Sequence, residues 1–143
     1  MSSWDKKFTE LANHIATWSK DRSTKVGAVV VNNRNKILSI GYNGFPIGVN
    51  DDVDERHSRP EKYEWVAHAE ENCVLSAAEI GVSLANCKIY CNYITFPRCC
   101  RAIIQSGINE VIYQHECVNS QSEPNPISKQ MLMEARIRVR KYE

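Results

Sequence analysis

Val66-Ala67-His68-Ala69-Glu70-Glu71-Asn72 is the stretch whose reading decides this chain, and the thiol-bearing turn Thr95-Phe96-Pro97-Arg98-Cys99-Cys100 further on is its counterpart. Helical periodicity begins at His68 and runs through Val74, Leu75 and Ala78 to a stop near Gly81, so His68 and Glu70 fall in a first turn and can point out of the helix N-terminus into one pocket. Imidazoles and thiolates hold metal ions, and a carboxylate within reach of a metal-activated water can move its proton. The plainer alternative is a helix that happens to start His-Ala-Glu, with Glu70 and Glu71 favourable at the positive end of its dipole. A tripeptide alone does not decide between the two.

Outward from that helix the chain alternates strands and helices. Residues 5–20 carry Phe8, Leu11, Ala12, Ile15, Ala16 and, at the edge of the pattern, Trp18 at helical spacing, which predicts a first helix with one buried face. Asp21-Arg22-Ser23-Thr24 ends it. Residues 26–31 form a β-branched, nearly all-apolar run, Asn32-Asn33-Arg34-Asn35 reads as a turn, and residues 37–42 read as a second strand, so the pair is a hairpin. Residues 43–65 are rich in Gly, Pro, Asp and charge, a length that makes them either functional or mobile. Residues 89–94 read as a third strand, 98–106 as a short helix closed by Gly107, 110–113 as a fourth strand, 119–126 as a polar loop, 127–135 as a last helix and 137–142 as a fifth strand. A hairpin followed by β-α-β-α units predicts a single domain over residues 1–143, an α/β/α sandwich around a mixed five-stranded sheet.

The chain of 143 residues carries a formal net charge of +1, which offers no basic footprint for nucleic acid, although a local pocket for a nucleotide phosphate remains compatible with it. No apolar run reaches membrane-spanning length, and Met1-Ser2-Ser3-Trp4-Asp5-Lys6 lacks the pattern of a secretion signal, so the sequence reads as cytoplasmic with no membrane partner. Its six cysteines, Cys73, Cys87, Cys91, Cys99, Cys100 and Cys117, then suit metal binding or plain burial better than disulfides. His14, His57 and His115 have no partner at ligand spacing and are assigned no metal.

Five segments together carry a family resemblance: Lys25-Val26-Gly27-Ala28-Val29-Val30, Gly41-Tyr42-Asn43-Gly44-Phe45-Pro46-Ile47-Gly48, Asp51-Asp52-Val53, His68-Ala69-Glu70-Glu71-Asn72 and Ala102-Ile103-Ile104-Gln105-Ser106-Gly107-Ile108. In order and spacing, from Trp4 to Tyr113, they resemble the deoxycytidylate (dCMP) deaminase family. The resemblance implies a cytidine deaminase-like sandwich that binds one zinc ion per chain and deaminates dCMP, or a close cytosine nucleotide, by hydrolysis. It implies His68 and Cys99 as zinc ligands, Glu70 as general acid and base, Asn43 at the nucleotide sugar, and the Arg22-Ser23-Thr24-Lys25 turn near its phosphate, with Ser23 and Lys25 as candidates. Family members are commonly homohexamers regulated by dCTP and dTTP, and the loop from Gly41 to Gly48 is similar to part of their regulatory site. Read from the residues alone, Asn43 serves equally as a turn residue and Lys25 as a solvated charge.

One ligand position departs from the family. In the zinc deaminase signature two cysteines stand three residues apart, Pro-Cys-x-x-Cys, whereas three residues before Cys99 this chain has Phe96. Three outcomes are open. Cys100 takes the missing place, although it projects about 100° from Cys99 on a regular helix; Cys91 or Cys73 swings in; or the metal is weakly held or absent, since catalytic zinc usually has three protein ligands. The first and third weigh equally, and the second least. The departure keeps a second function in view, a metal-poor, non-catalytic nucleotide-binding relative, and a third, a deaminase of another nucleobase.

Overall fold

In a computed structural model, residues 2–94, 97–116 and 126–143 are described. Thr95, Phe96, Cys117 and the polar stretch at 119–125 lie outside the described residues.

The nearly all-apolar run becomes β1 (Gly27–Val31), and each of its five residues is buried. It needs to be apolar on both faces because it lies inside the sheet, hydrogen-bonded on both sides. β2 (Ile37–Tyr42) pairs with it antiparallel, Gly27 opposite Tyr42, and Asn32 shapes the turn by accepting the amides of Arg34 and Lys36 at 2.9 Å each. β3 (Lys88–Tyr93) lies antiparallel on the other side of β1. β4 (Glu110–His115) runs parallel to β3, and β5 (Arg138–Lys141) parallel to β4. The order β2-β1-β3-β4-β5 is the mixed five-stranded sheet that the sequence pattern predicts.

Alternation along the strands splits the core into two layers. Val29, Val31, Tyr90 and Ile112 pack with Phe8, Ala12 and Ile15 of α1 (Ser3–Ala16). On the other side Ala28, Val30, Ile89, Cys91 and Val111 pack with Ala69, Cys73 and Ala77 of α3 (Ala69–Ile80) and with Ile103 of α4 (Pro97–Gln105). α5 (Pro126–Glu134) packs beside α4. Helices therefore cover both faces of one sheet, the layered arrangement expected of alternating strands and helices.

α1 starts on a capping box in which Ser2 Oγ accepts the Asp5 amide at 3.1 Å and the Asp5 carboxylate accepts the Ser2 amide at 3.2 Å. It stops at Ala16, four residues short of the expected end. The amides of Thr17, Trp18 and Ser19 turn back to carbonyls three residues earlier, which tightens the last turn and ends the helix. Trp18 consequently lies beyond the helix and is half exposed.

The Gly- and Asp-rich stretch at 43–65 holds a 3-10 turn, Asp54–His57, and a short helix, α2 (Lys62–Trp65). Phe45 stacks on His57 at 5.0 Å and on Trp65 at 6.4 Å, and the Arg56 guanidinium lies 3.9 Å over Trp65. The segment is thus packed onto itself and, through Lys62, onto Asp21.

Candidate active site

α3 brings the first two functional groups forward. His68 is its N-cap, with extended backbone (φ −79°, ψ 159°), and its amide donates to Glu71 Oε1 at 3.1 Å. This capping turns the His68 ring out of the helix start and leaves Glu70, one residue earlier than Glu71, facing the protein interior. A bridge between Gly44 and Ala67, with N···O distances of 3.1 and 2.9 Å, ties the loop after β2 to the segment just before His68. Asn72 Nδ2 donates to the Tyr42 carbonyl at 2.8 Å and fastens the next turn of α3 to the same place.

β3 delivers the third group. Its carboxyl end leads into α4, whose first turn carries Cys99, fully buried. His68 Nδ1 lies 3.0 Å from Cys99 Sγ, and the Glu70 carboxylate lies beside the same sulfur. Three residues far apart in the chain therefore converge where two helix N-termini meet, outside the carboxyl end of a parallel strand, where α/β sheets place their ligands. Glu70 is 3% exposed. Burial, with a smaller push from Glu71, lifts its carboxyl to about 7 despite the lowering pull of its own backbone amide and of the Cys99 thiol. A carboxyl poised there both accepts and releases protons near neutral pH.

The donor set fits zinc as far as it goes. An imidazole nitrogen and a thiolate sulfur on tetrahedral zinc stand about 3.6 Å apart, given Zn–N near 2.0 Å and Zn–S near 2.3 Å, so His68 and Cys99 need to open by only about half an ångström to share the ion. Among the described residues no third His, Cys, Asp or Glu joins them in a cluster able to hold a metal. Cys100 is buried on the next position of α4 and lies near Ser128 of α5. The Ser128 hydroxyl has no hydrogen-bond partner of good geometry, so the thiol is its neighbour rather than a well-formed partner. Cys73 donates to the Ala28 carbonyl at 3.3 Å and Cys91 to the Ile112 carbonyl at 3.8 Å.

The expected substrate residues lie at the same edge of the sheet. Asn43 is buried, accepts the Val26 amide through Oδ1 and donates through Nδ2 to the Thr24 carbonyl, both at 2.9 Å. Ser23 and Lys25 are exposed on the turn that Asn43 braces. Sequence reasoning missed the other braces. Asn92 of β3 accepts the Gly27 amide and donates to the Lys25 carbonyl, both at 3.0 Å. Asp21 Oδ1 accepts the amides of Ser23 at 2.8 Å and Thr24 at 3.0 Å, and the Lys62 ammonium at 2.9 Å. The one signal available was a polar Asn inside an otherwise apolar strand run.

A cavity of about 260 Å³ opens beside the loop from Gly41 to Gly48, walled by Trp18, Lys20, Tyr42, Phe45, Asp51 and His57. Among the described residues no helix is long and apolar enough to cross a membrane.

A His and a Glu two residues apart at one helix start, facing a Cys at the start of the next, on a mixed sheet covered on both faces, define the nucleobase deaminase class. The sequence matches the family model described as the cytidine and deoxycytidylate deaminase zinc-binding region over residues 2–115. The chain belongs to this family. It is 36% identical to human deoxycytidylate deaminase over 125 residues, covering 84% of this chain and 69% of that protein. It is 38% identical to a deaminase of Aliivibrio fischeri over 144 residues, covering 97% and 93%. The fold superimposes on the crystal structure of dCMP deaminase from the cyanophage S-TIM5 in complex with dCMP and dUMP, with a TM-score of 0.82, 26% identity and 99% of each chain covered.

Proposed function

We propose that the protein converts dCMP, or a close cytosine nucleotide, and water into the uracil nucleotide and ammonia. The observation that carries this reading is the convergence of His68, Glu70 and Cys99, with a 3.0 Å contact between the imidazole and the sulfur. His68 Nδ1 and Cys99 Sγ would hold the zinc ion. When bound, zinc lowers the pKa of a coordinated water from about 16 toward 7, so that hydroxide is available at neutral pH. Glu70 takes the proton that the water gives up as its oxygen bonds to C4 of cytosine. The carboxyl delivers that proton to N3, then takes the remaining proton from the new C4 hydroxyl and gives it to the amine, which leaves as ammonia as the C4–N bond breaks and the C4 carbonyl forms. Its burial keeps bulk water from competing for the proton.

The turn at residues 22–25 supplies Ser23 and Lys25 to the nucleotide phosphate. Asn43 both braces that turn and, with the second hydrogen of its Nδ2, reaches the sugar. The cavity beside Gly41 to Gly48 is where a regulatory nucleotide such as dCTP or dTTP would sit, its aromatic walls suited to a base and Lys20 to a phosphate. The chain acts as one domain, in the cytoplasm and as a homo-oligomer. Ile127 and Met133, 61% and 69% exposed on α5, support a buried self-contact there.

The test is formation of dUMP and ammonia from dCMP by zinc-loaded protein, and its loss in Glu70→Gln. Zinc-loaded protein that leaves both dCMP and dCTP unchanged sinks the substrate assignment. A second reading, a nucleotide-binding relative without catalysis, is favoured by the phenylalanine at position 96. Binding of dCMP without turnover at saturating zinc would select it.

A further inference from the structure

We infer that Asn92 is a positioning residue for the nucleotide phosphate: with Asn43 it grips the backbone of residues 24–27 from both sides and fixes the adjoining turn relative to His68 and Cys99. The inference rests on the reading above that the turn at residues 22–25 takes the phosphate, and concerns what holds that turn at the right distance from the reacting base.

β1 begins at Gly27, so residues 24–26 precede the strand. Their backbone is paired all the same, by side chains. Asn43, directly after β2, accepts the Val26 amide and donates to the Thr24 carbonyl at 2.9 Å each. Asn92, in β3, accepts the Gly27 amide and donates to the Lys25 carbonyl at 3.0 Å each. In an extended segment successive residues turn their amide and carbonyl groups to opposite sides, and the two asparagines divide them accordingly: Asn43 serves residues 24 and 26, and Asn92 serves 25 and 27. Each carboxamide stands in for a neighbouring strand. On the β3 side the backbone register runs from Val31 opposite Lys88 to Ala28 opposite Cys91, and the Asn92 side chain continues it one step further.

Asn92 is 5% exposed. A β-branched apolar residue would suit a buried strand better, and a buried carboxamide costs free energy unless both its ends are bonded. What the carboxamide adds is the hold on residues 25 and 27. The two grips lead to the two sides of the site. From Asn43 the chain passes to Gly44, which bridges to Ala67 next to His68. From Asn92 it runs along the end of β3 into α4, which carries Cys99. Gly27 also presses against the backbone of Ala12 and Ala16 in α1. Ser23 and Lys25 are therefore exposed on a backbone that is fixed before any ligand arrives, so binding a phosphate there does not have to order the turn.

The experiment measures dUMP binding by calorimetry, and kcat and KM for dCMP, on zinc-loaded full-length protein. It compares wild type, Asn92→Ala, Asn92→Asp, the double variant Ser23→Ala with Lys25→Ala, and that double variant carrying Asn92→Ala as well. Asn92→Ala is expected to weaken dUMP binding and raise KM about 10-fold, the scale of one hydrogen bond to a charged group. Its kcat should stay within about threefold, because uniform binding is what is lost. Asn92→Asp keeps the acceptor for Gly27 but not the hydrogen for Lys25, and should move both constants in the same direction. In the double variant, adding Asn92→Ala should weaken binding by less than about twofold, because Asn92 acts through contacts already removed. A loss that adds in full on that background, or one confined to kcat or to the binding stoichiometry, overturns the inference and makes Asn92 a prop of the fold. Weakened binding in the double variant beside unchanged binding in Asn92→Ala overturns the inference alone. Unchanged binding in the double variant overturns the phosphate reading, and the inference with it. Should Asn92→Ala fail to fold, the isosteric Asn92→Asp carries the same comparisons.

Discussion

A Cβ placed on Gly41 would stand 2.4 Å from the carbonyl oxygen of Ala69 and 2.6 Å from the amide nitrogen of Cys73. The first turn of α3, which carries His68 and Glu70, therefore rests directly on the backbone of β2, and only glycine permits that approach. Gly41→Ala pushes this turn away from the sheet. Overpacking of this kind costs about 1–3 kcal/mol of stability, and a misplacement of roughly 1 Å at reacting groups costs about 100-fold in rate. The expected result is a folded protein with a lower unfolding midpoint and a kcat/KM for dCMP reduced on that scale, read by thermal unfolding and steady-state kinetics at saturating zinc. An unchanged kcat/KM would show that the seating of α3 is not tied to the chemistry.

Glu70 and Glu71 are neighbours with opposite duties. Glu71 accepts the His68 amide at 3.1 Å, a capping contact that an uncharged oxygen can also make. Glu71→Gln should leave turnover within a few fold, and Glu71→Ala should cost about 1 kcal/mol of stability, the usual size of a lost cap. Glu70→Gln should lower kcat by at least about 100-fold, the scale of a lost general acid and base, while nucleotide binding is kept. Equal losses in Glu70→Gln and Glu71→Gln, measured by dUMP formation and by calorimetric binding of dUMP, would contradict the division.

The start of α3 was legible in the sequence because a His-Ala-Glu-Glu run before an apolar periodic stretch is a local signal, and local signals survive without tertiary knowledge. The strands of the sheet were legible for the same reason, through their apolar runs and the turns that bound them. Asn92 and Asp21 were not, because each acts on a partner brought to it from another part of the chain: Asn92 on the backbone of Lys25 and Gly27, Asp21 on the Lys62 ammonium. A single Asn or Asp has the same appearance in sequence whether it is solvated or serves as a brace. The direction of Cys100 was foreseeable only as an angle on an ideal helix; its neighbour Ser128 belongs to α5, across the polar loop, and no spacing rule connects them.

A buried charge network closes the far edge of the sheet. Tyr90 Oη donates to Asp5 Oδ1 at 2.6 Å, Arg140 of β5 reaches Asp5 at 3.3 Å, and its Nε donates to Glu110. Burial alone would raise the Asp5 carboxyl, but the hydrogen bonds from Arg140, Tyr90 and Ser2 outweigh it and hold the group at about 2, against 3.8 unperturbed. Because the folded value is the lower one, the contribution is full above the unfolded value and disappears as pH falls through the folded one; its size is about 2 kcal/mol. Urea unfolding at pH 5 and pH 2.5 should show wild type losing most of this increment and Asp5→Asn, already weaker at pH 5, losing less. Identical pH slopes for the two proteins would remove Asp5 from the account.

Asp21 and Lys62 join the turn at residues 22–25 to α2, and both side chains are nearly buried, at 5% and 11% exposure. Burial by itself would raise the Asp21 carboxyl, yet the amides of Thr24 and Ser23 together with the Lys62 ammonium bring it below the ordinary value. Lys62→Met leaves the carboxylate with its two amide donors but without a counter-charge, a change that costs about 3 kcal/mol in a buried pair. Asp21→Asn keeps one acceptor oxygen for the turn while ending the ion pair, so it should cost less. Since the turn carries Ser23 and Lys25, both substitutions should raise KM for dCMP more than they lower kcat, and should affect deoxycytidine, which lacks the phosphate, much less. Combining them should cost less than the two single losses added together, because both remove the same contact. Equal KM increases for dCMP and deoxycytidine would place the effect of the pair on the fold as a whole and take Ser23 and Lys25 away from the phosphate.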